Sequence, residues 1–217
     1  MIEGPKVSQG ARFRKFALQL LVGGLVGIGF ASGMNALIQS GALGALDKSA
    51  MIAIVAAVVY LVIGLQVCVG MALPRAGALM LNFEDEAELR DQRRIMMWSA
   101  VSMIAMGAML AVLALSAPDG PIAPAIGLTV AVIASTGLVW ASLRILRDMD
   151  ELLRSVTREC GEIAYYLLLA IGGGWAVLAH LGYSPSMRML DFITLNYVLL
   201  LAASFIASGR RGMLRMR

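Results

Sequence analysis

Charged residues are scarce in this sequence, and their scarcity excludes an ordinary soluble domain. Only 15% of the 217 residues are Asp, Glu, Lys or Arg, whereas 59% are hydrophobic, and the mean hydropathy is +0.81. A soluble domain carries about a quarter charged residues. The chain therefore belongs to the membrane class, in which lipid and neighbouring helices surround each helix with apolar groups.

Histidine and cysteine are also nearly absent. The one histidine, His180, excludes a haem held by two histidines of the chain and a zinc site built from several. The two cysteines, Cys68 and Cys160, give no disulfide framework, since one falls in an apolar run and the other among charged residues. We expect no cofactor and no metal site.

Ionisable residues are missing from the interior of every apolar run, which removes the usual mark of an ion-coupled transporter or proton pump. The carboxylates instead alternate with arginines in two connections, residues 81–95 and 146–160. Such interleaving is typical of a solvated helix surface with salt bridges. We therefore predict no catalytic residue and expect a protein that is not an enzyme.

Long apolar runs are what the sequence has in abundance. A helix needs about 20 apolar residues to cross the hydrocarbon of a bilayer. Six runs reach this length or come close to it, and they predict transmembrane spans at residues 16–38, 50–73, 96–117, 122–143, 163–181 and 191–208.

Lysine and arginine predict the orientation of these spans. Sixteen of the eighteen lie before the first span, after the second, after the fourth or after the sixth, and only Lys48 and Arg188 lie on the other side. The positive-inside rule assigns the sixteen to the cytoplasm. The fold class is thus an all-α, polytopic membrane protein with a six-helix, N-in/C-in bundle. It has a basic cytoplasmic N-terminus (1–15), a membrane domain (16–208) and a basic cytoplasmic tail (209–217), in a plasma membrane such as the bacterial inner membrane.

The two longer cytoplasmic connections predict that helices three and five extend into the cytosol. Asn82 and Asp148 suit the N-cap position, and Asp148 with Glu151 has the spacing of a capping box. Two acidic–basic pairs at i,i+4 support the same helices: Glu86 with Arg90, and Asp150 with Arg154. The two connections also match at an offset of 64 residues, and whether this marks an internal repeat stays open.

Glycines form two candidate helix-packing sets: Gly23, Gly27, Gly29 and Gly33 in the first span, and Gly172, Gly173 and Gly174 in the fifth. Small residues at four-residue spacing let two helices approach closely in lipid. We expect the first set to pack within the chain, with a seam between copies or a partner-docking face as the alternative. The second set predicts a weak point in the fifth helix, where it bends or crosses a neighbour.

An apolar stripe runs along the cytoplasmic part of the fifth helix, at Met149, Leu152, Leu153, Val156, Cys160 and Ile163. The stripe requires cover from the helix at residues 83–95, from the bilayer surface or from another protein. We predict packing against residues 83–95, with partner docking as the functional alternative. The candidate docking residues there are Leu152, Leu153, Val156, Glu159 and Glu162. Arg158 precedes Glu162 by four residues and is placed to neutralise it.

Methionine is frequent, with fifteen in the chain, and Met103, Met106 and Met109 recur along the third span. Thioethers bind soft ions such as Cu(I), but methionine also fills apolar gaps without any ion, and we expect the second use.

The features together favour a non-enzymatic membrane protein that acts through helix–helix contacts, as an accessory or scaffolding subunit. The alternative is a small transporter or channel for an uncharged, lipidic or soft-metal solute. The expected partners are the lipid bilayer and either another membrane protein or a second copy of the chain. No nucleic-acid partner is expected, because the net charge of +4 follows the membrane alternation.

Overall fold

The computed structural model describes residues 32–33, 36, 47–74, 77–78, 81, 83, 86–116 and 120–212. All regular secondary structure in these ranges is helical. Five helices within them are long and apolar enough to cross a membrane, as in a multi-pass membrane protein. Most of the first predicted span, the predicted N-terminal segment and residues 213–217 of the predicted tail lie outside the described residues. Residues 45–215 form a compact unit, to which all the helices below belong.

The helices of this unit follow the predicted spans two to six. They are α1 (Lys48–Ala72), α2 (Glu86–Asp91), α3 (Arg93–Ser116), α4 (Pro124–Asp148), α5 (Glu151–Leu167), α6 (Gly174–His180) and α7 (Met189–Arg210). A π-helical segment, Leu168–Gly173, joins α5 to α6, so that Glu151–His180 is one continuous rod of 30 residues. We call this rod the long helix.

The long helix begins two residues later than its capping signals predict. Helix α4 continues through Asp148, so Asp148 is not the N-cap and forms no capping box with Glu151. Asp150 takes that position instead, and its Oδ1 accepts a 2.7 Å hydrogen bond from the Leu153 amide. Because the Asp150 carboxylate caps the helix, it does not pair with Arg154, which donates to the Leu146 carbonyl.

The third predicted helix also extends beyond its span. Only Gln92 separates α2 from α3, and helical hydrogen bonds continue across it, from the Gln92 amide to Glu88 and from the Met96 amide to Gln92. The predicted pair of Glu86 with Arg90 is confirmed at 3.3 Å. Asn82, the predicted cap, lies outside the described residues.

The core lies where α1, α3, α4 and α7 meet. Its buried members come from α1 and α3: Ala56, Ala57, Tyr60, Met106 and Leu110. Leu138 of α4 and Ile193, Tyr197 and Leu201 of α7 pack around them. The backbones of α1 and α3 touch at Gly107, since a Cβ atom there would lie 2.7 Å from the Ala57 carbonyl oxygen.

The long helix packs mainly against α7. The prediction that its stripe is covered by residues 83–95 is therefore wrong for the part of that segment that the structure describes. Two contacts draw the helix towards α7: Cys160 Sγ lies 4.0 Å from the Leu200 carbonyl oxygen, and Glu159 pairs with arginines at the end of α7. No residue of the long helix is buried.

The ion pairs that link different helices lie at the two ends of the unit. At one end, which we call the basic end, Arg94 approaches Asp148 at 3.9 Å, and Glu159 pairs with Arg210 and Arg211. At the opposite end, Arg188 pairs with Asp47. Each of these pairs joins two residues that the lysine and arginine distribution assigns to the same side of the membrane.

Candidate functional site

An open groove of about 760 Å³ lies at the basic end, between α5 and the last turn of α7. Four arginines and three glutamates line it, and Ile163 and Tyr166 form its apolar side. The arginines come from two helices: Arg154 and Arg158 from α5, and Arg210 and Arg211 from the end of α7. The groove therefore joins cationic groups that are far apart in the sequence.

Glu159 organises one side of the groove. Its Oε2 accepts a 2.9 Å hydrogen bond from Arg211 Nε, and its Oε1 lies 3.7 Å from Arg210 Nη1. The Glu159 side chain is only 22% exposed, so this carboxylate is held between two guanidinium groups. The predicted pairing of Arg158 with Glu162 is wrong, since no ion pair joins them in the described part of the chain.

The structure separates the five candidate docking residues. Leu152 and Glu162 are exposed, whereas Leu153 and Val156 are half-buried. Glu159 is half-buried as well and takes part in the ion pairs of the groove. These residues therefore do not form one uncovered surface, and their role in docking stays a prediction.

The glycines of the fifth span lie at the π-helical segment. Gly172 and Gly173 end this segment, and Gly174 follows it. A π-helical turn carries an extra residue and locally distorts the rod. A Cβ atom at Gly172 would meet Leu168 at 3.3 Å and Leu195 at 3.7 Å, and one at Gly174 would meet nothing within 4 Å. Gly174 thus opens onto free space beside the helix.

Gly23, Gly27 and Gly29 of the first span lie outside the described residues. Gly33 is described and exposed, and a Cβ atom there would meet nothing within 4 Å. The use of this glycine set in packing stays a prediction.

Polar groups inside the helices are mostly satisfied locally. The hydroxyl groups of Thr129, Thr136 and Thr194 each donate to the carbonyl four residues earlier, at 2.8 Å. Met106 and Met109 are buried in the core, and Ser135 Oγ lies 3.7 Å from Met109 Sδ. Within the described ranges, no group of three or more His, Cys, Asp or Glu side chains is placed to hold a metal ion.

The pair formed by Tyr60 and Tyr197 is not among the residues predicted from the sequence. Their rings meet edge to face with centroids 6.1 Å apart, in the centre of the core. A signal was available, because a tyrosine hydroxyl in the middle of an apolar span must find a hydrogen-bond acceptor inside the protein. The sequence could not identify which helix supplies that acceptor.

The helices and their apolar length define the class of the protein, a multi-pass, all-helical membrane protein. Comparison of the chain with known protein families, with curated proteins and with solved structures finds no match.

Proposed function

We propose that this protein is a non-enzymatic accessory or scaffolding subunit, which binds another membrane-embedded chain through the exposed face of its long helix. One observation carries the proposal. The long helix runs for 30 residues and none of them is buried, whereas a third of the apolar window of α1 and 39% of that of α3 are buried. The long helix is thus attached to the unit along one side only.

The exposed side of the long helix suits contact with a second helix. Tyr165 and Tyr166 are 62% and 67% exposed, and Val177 is 58% exposed further along. Gly174 lies between them in the sequence, and a Cβ atom there would meet nothing within 4 Å. Lipid gives helices no hydrophobic drive to associate, so helix pairs in a membrane depend on close packing. A glycine lets the neighbouring helix approach, and the large side chains near it pack against that helix.

The core gives the alternative, a small transporter or channel, little support. Tyr60, Ala57 and Leu110 are each no more than 1% exposed, so side chains fill the centre of the described helices. A solute pathway through this unit would have to open between residues that are in contact. A contact surface on the outside requires no such rearrangement.

The proposed orientation places the basic end in the cytoplasm of a plasma membrane, with both termini on that side. The support comes from the sixteen-to-two distribution of Lys and Arg. The interhelical ion pairs agree with it, since none of those in the described unit joins residues assigned to different sides.

Substitution of Gly174 by leucine tests the docking face. The Leu side chain fits the isolated chain, because nothing lies within 4 Å of its Cβ, but it would push away a docked helix. Gly137→Leu on α4 is the matched control, since its Cβ also meets open space. The wild-type protein and both variants are extracted into lipid nanodiscs and their assembled mass is measured by native mass spectrometry.

We expect the wild-type protein to form an assembly, either with a partner or with a second copy. The Gly137→Leu variant should retain this assembly and Gly174→Leu should lose it, while both variants keep the thermal stability of the wild type. A wild-type protein that is monomeric and without partner in native lipid contradicts the proposal. If both variants retain the assembly, the contact lies on another surface and the docking face is wrong.

A further inference from the structure

The groove at the basic end lies where a charged segment gives way to an uncharged segment, both on the long helix and on α7. On the long helix, no Asp, Glu, Lys or Arg occurs between Glu162 and the end at His180. On α7, residues 192–209 are free of charge, and Arg210 and Arg211 follow immediately. On both helices the charged residues thus stop at the groove. In a membrane, this is the level of the lipid headgroups.

The arginines of the groove are available to a ligand. Arg158 makes no hydrogen bond or ion pair within the described part of the chain, and Arg154 donates only to a backbone carbonyl at 3.4 Å. Arg211 uses Nε for Glu159, which leaves its other N–H groups free to bind, and its side chain is 41% exposed. A guanidinium group binds phosphate oxygens through two parallel hydrogen bonds, a geometry that an ammonium group does not provide.

Glu159 is a positioning residue in this arrangement. One carboxylate touches two arginines, so it fixes their direction and cancels only one of their two charges. The remaining positive charge faces the groove, where Arg154 and Arg158 add to it from α5. Glu151 and Glu162 also line the groove, and they limit its net charge to a small positive value. A singly charged phosphodiester matches such a site better than a multiply charged anion.

The apolar side of the groove continues towards the uncharged part of the long helix. Ile163 and Tyr166 line it, and Tyr166 is 67% exposed. A ligand with a phosphate and acyl chains would place the phosphate among the arginines and the chains beside these residues. Tyrosine is favoured at this depth, because its ring is apolar and its hydroxyl is polar.

We propose that this groove binds the phosphodiester headgroup of an anionic phospholipid, of the phosphatidylglycerol kind. Its acyl chains lie along Ile163 and Tyr166. The proposal goes beyond the docking function. The two surfaces share Tyr166, but their tests are separate, because the groove arginines and Gly174 lie at different parts of the long helix.

Native mass spectrometry of the purified full chain in detergent tests the proposal. Dioleoylphosphatidylglycerol is titrated and the bound lipid is counted, with dioleoylphosphatidylcholine as the neutral comparison. The variants are Arg158→Gln and Arg211→Gln, alone and together, both at exposed positions. Arg211→Gln also removes the pair with Glu159, whereas Arg158→Gln removes no contact within the described chain. The control is Arg147→Gln, which removes the same charge from an exposed arginine outside the groove. Thermal unfolding verifies that all variants fold.

The expected result is a site selective for phosphatidylglycerol, whose affinity falls about fivefold for each groove arginine removed. Arg147→Gln should leave the affinity nearly unchanged. An equal loss in Arg147→Gln would show diffuse attraction to basic surface and overturn the proposal. Equal binding of phosphatidylcholine would overturn it as well. Displacement of the lipid by excess inorganic phosphate would assign the groove to a soluble anion instead of a lipid.

Discussion

The hydroxyl group of Tyr60 donates a 2.7 Å hydrogen bond to the backbone carbonyl of Tyr197, 137 residues further along the chain. The bond ties α1 to α7 at the centre of the core, where Tyr60 is only 1% exposed. A polar group at this depth finds no water, so the carbonyl of a neighbouring helix replaces it. The relationship explains how the last helix of the unit is held against the first.

Shortening this side chain should affect stability in two separable ways. Tyr60→Phe keeps the ring and removes the hydrogen bond, which should lower the free energy of unfolding by about 0.6–1 kcal/mol. Tyr60→Ala also leaves a cavity beside Leu110, and a loss of about 3–5 kcal/mol is expected. Thermal and denaturant unfolding in one detergent gives both values. Equal losses for the two variants would show that packing of the ring contributes little.

The crossing of α1 and α3 depends on the absence of a side chain at Gly107. A Cβ atom there would lie 2.7 Å from the Ala57 carbonyl oxygen and from Leu61 Cγ. Gly107→Ala should therefore force the helices apart and destabilise the protein by about 1–3 kcal/mol. Gly137→Ala is the control, because its Cβ meets open space and alanine favours the helix by up to about 1 kcal/mol. If both variants had the same melting temperature, the close crossing would be refuted.

Asp47 has two roles at the opposite end, and substitutions separate them. Its Oδ1 accepts a 2.8 Å hydrogen bond from the Ala50 amide as the N-cap of α1, and its Oδ2 pairs with Arg188 before α7. Asp47→Asn keeps an acceptor for the cap and removes the ion pair, which is worth at most about 1 kcal/mol at the surface. Asp47→Ala removes both and should cost about 1 kcal/mol more.

Salt distinguishes the two contributions of Asp47. The difference in stability between wild type and Asp47→Asn should shrink at high ionic strength, because salt screens an exposed ion pair. The difference between Asp47→Asn and Asp47→Ala should persist, since the cap is a short-range hydrogen bond. Unfolding in low and high salt measures both. A wild-type advantage over Asp47→Asn that salt does not change would assign the whole effect to the cap.

The sequence predicts the positions of the helices from the second span onwards well, because the length of an apolar run and the placement of arginines are local properties. Fine boundaries are predicted less well. Asp148 and Asp150 both suit a cap, and which one is used depends on how tightly the chain turns between α4 and α5. In the structure α4 runs through Asp148, which leaves the cap to Asp150.

Contacts between helices are what the sequence could not predict. The stripe on α5 indicates that some neighbour covers it, but the same pattern fits any apolar neighbour, and α7 takes that place instead of residues 83–95. Glu159 illustrates the reason. The sequence predicted a pair of Arg158 with Glu162 within α5, whereas the carboxylate that pairs here is Glu159, with Arg210 and Arg211 about fifty residues away. The groove follows from that tertiary pairing and has no local signature.

The orientation of the chain can be tested with reporter fusions at four points. Fusions after Lys48 and after Ser184 should agree with each other, because Asp47 and Arg188, which flank these points, form an ion pair at one end of the unit. Fusions after Asp150 and after Arg217 should give the opposite signal, since the basic residues near them are assigned to the cytoplasm. Alkaline phosphatase, active only outside the cytoplasm, and a green fluorescent protein, folded only inside it, give complementary readouts.

Phosphatase activity after Lys48 also requires that the residues before it cross the membrane an odd number of times, as the predicted first span does. A cytoplasmic signal after Lys48 would contradict the N-in arrangement with six spans, and a shared signal after Ser184 and Arg217 would show that α7 does not cross.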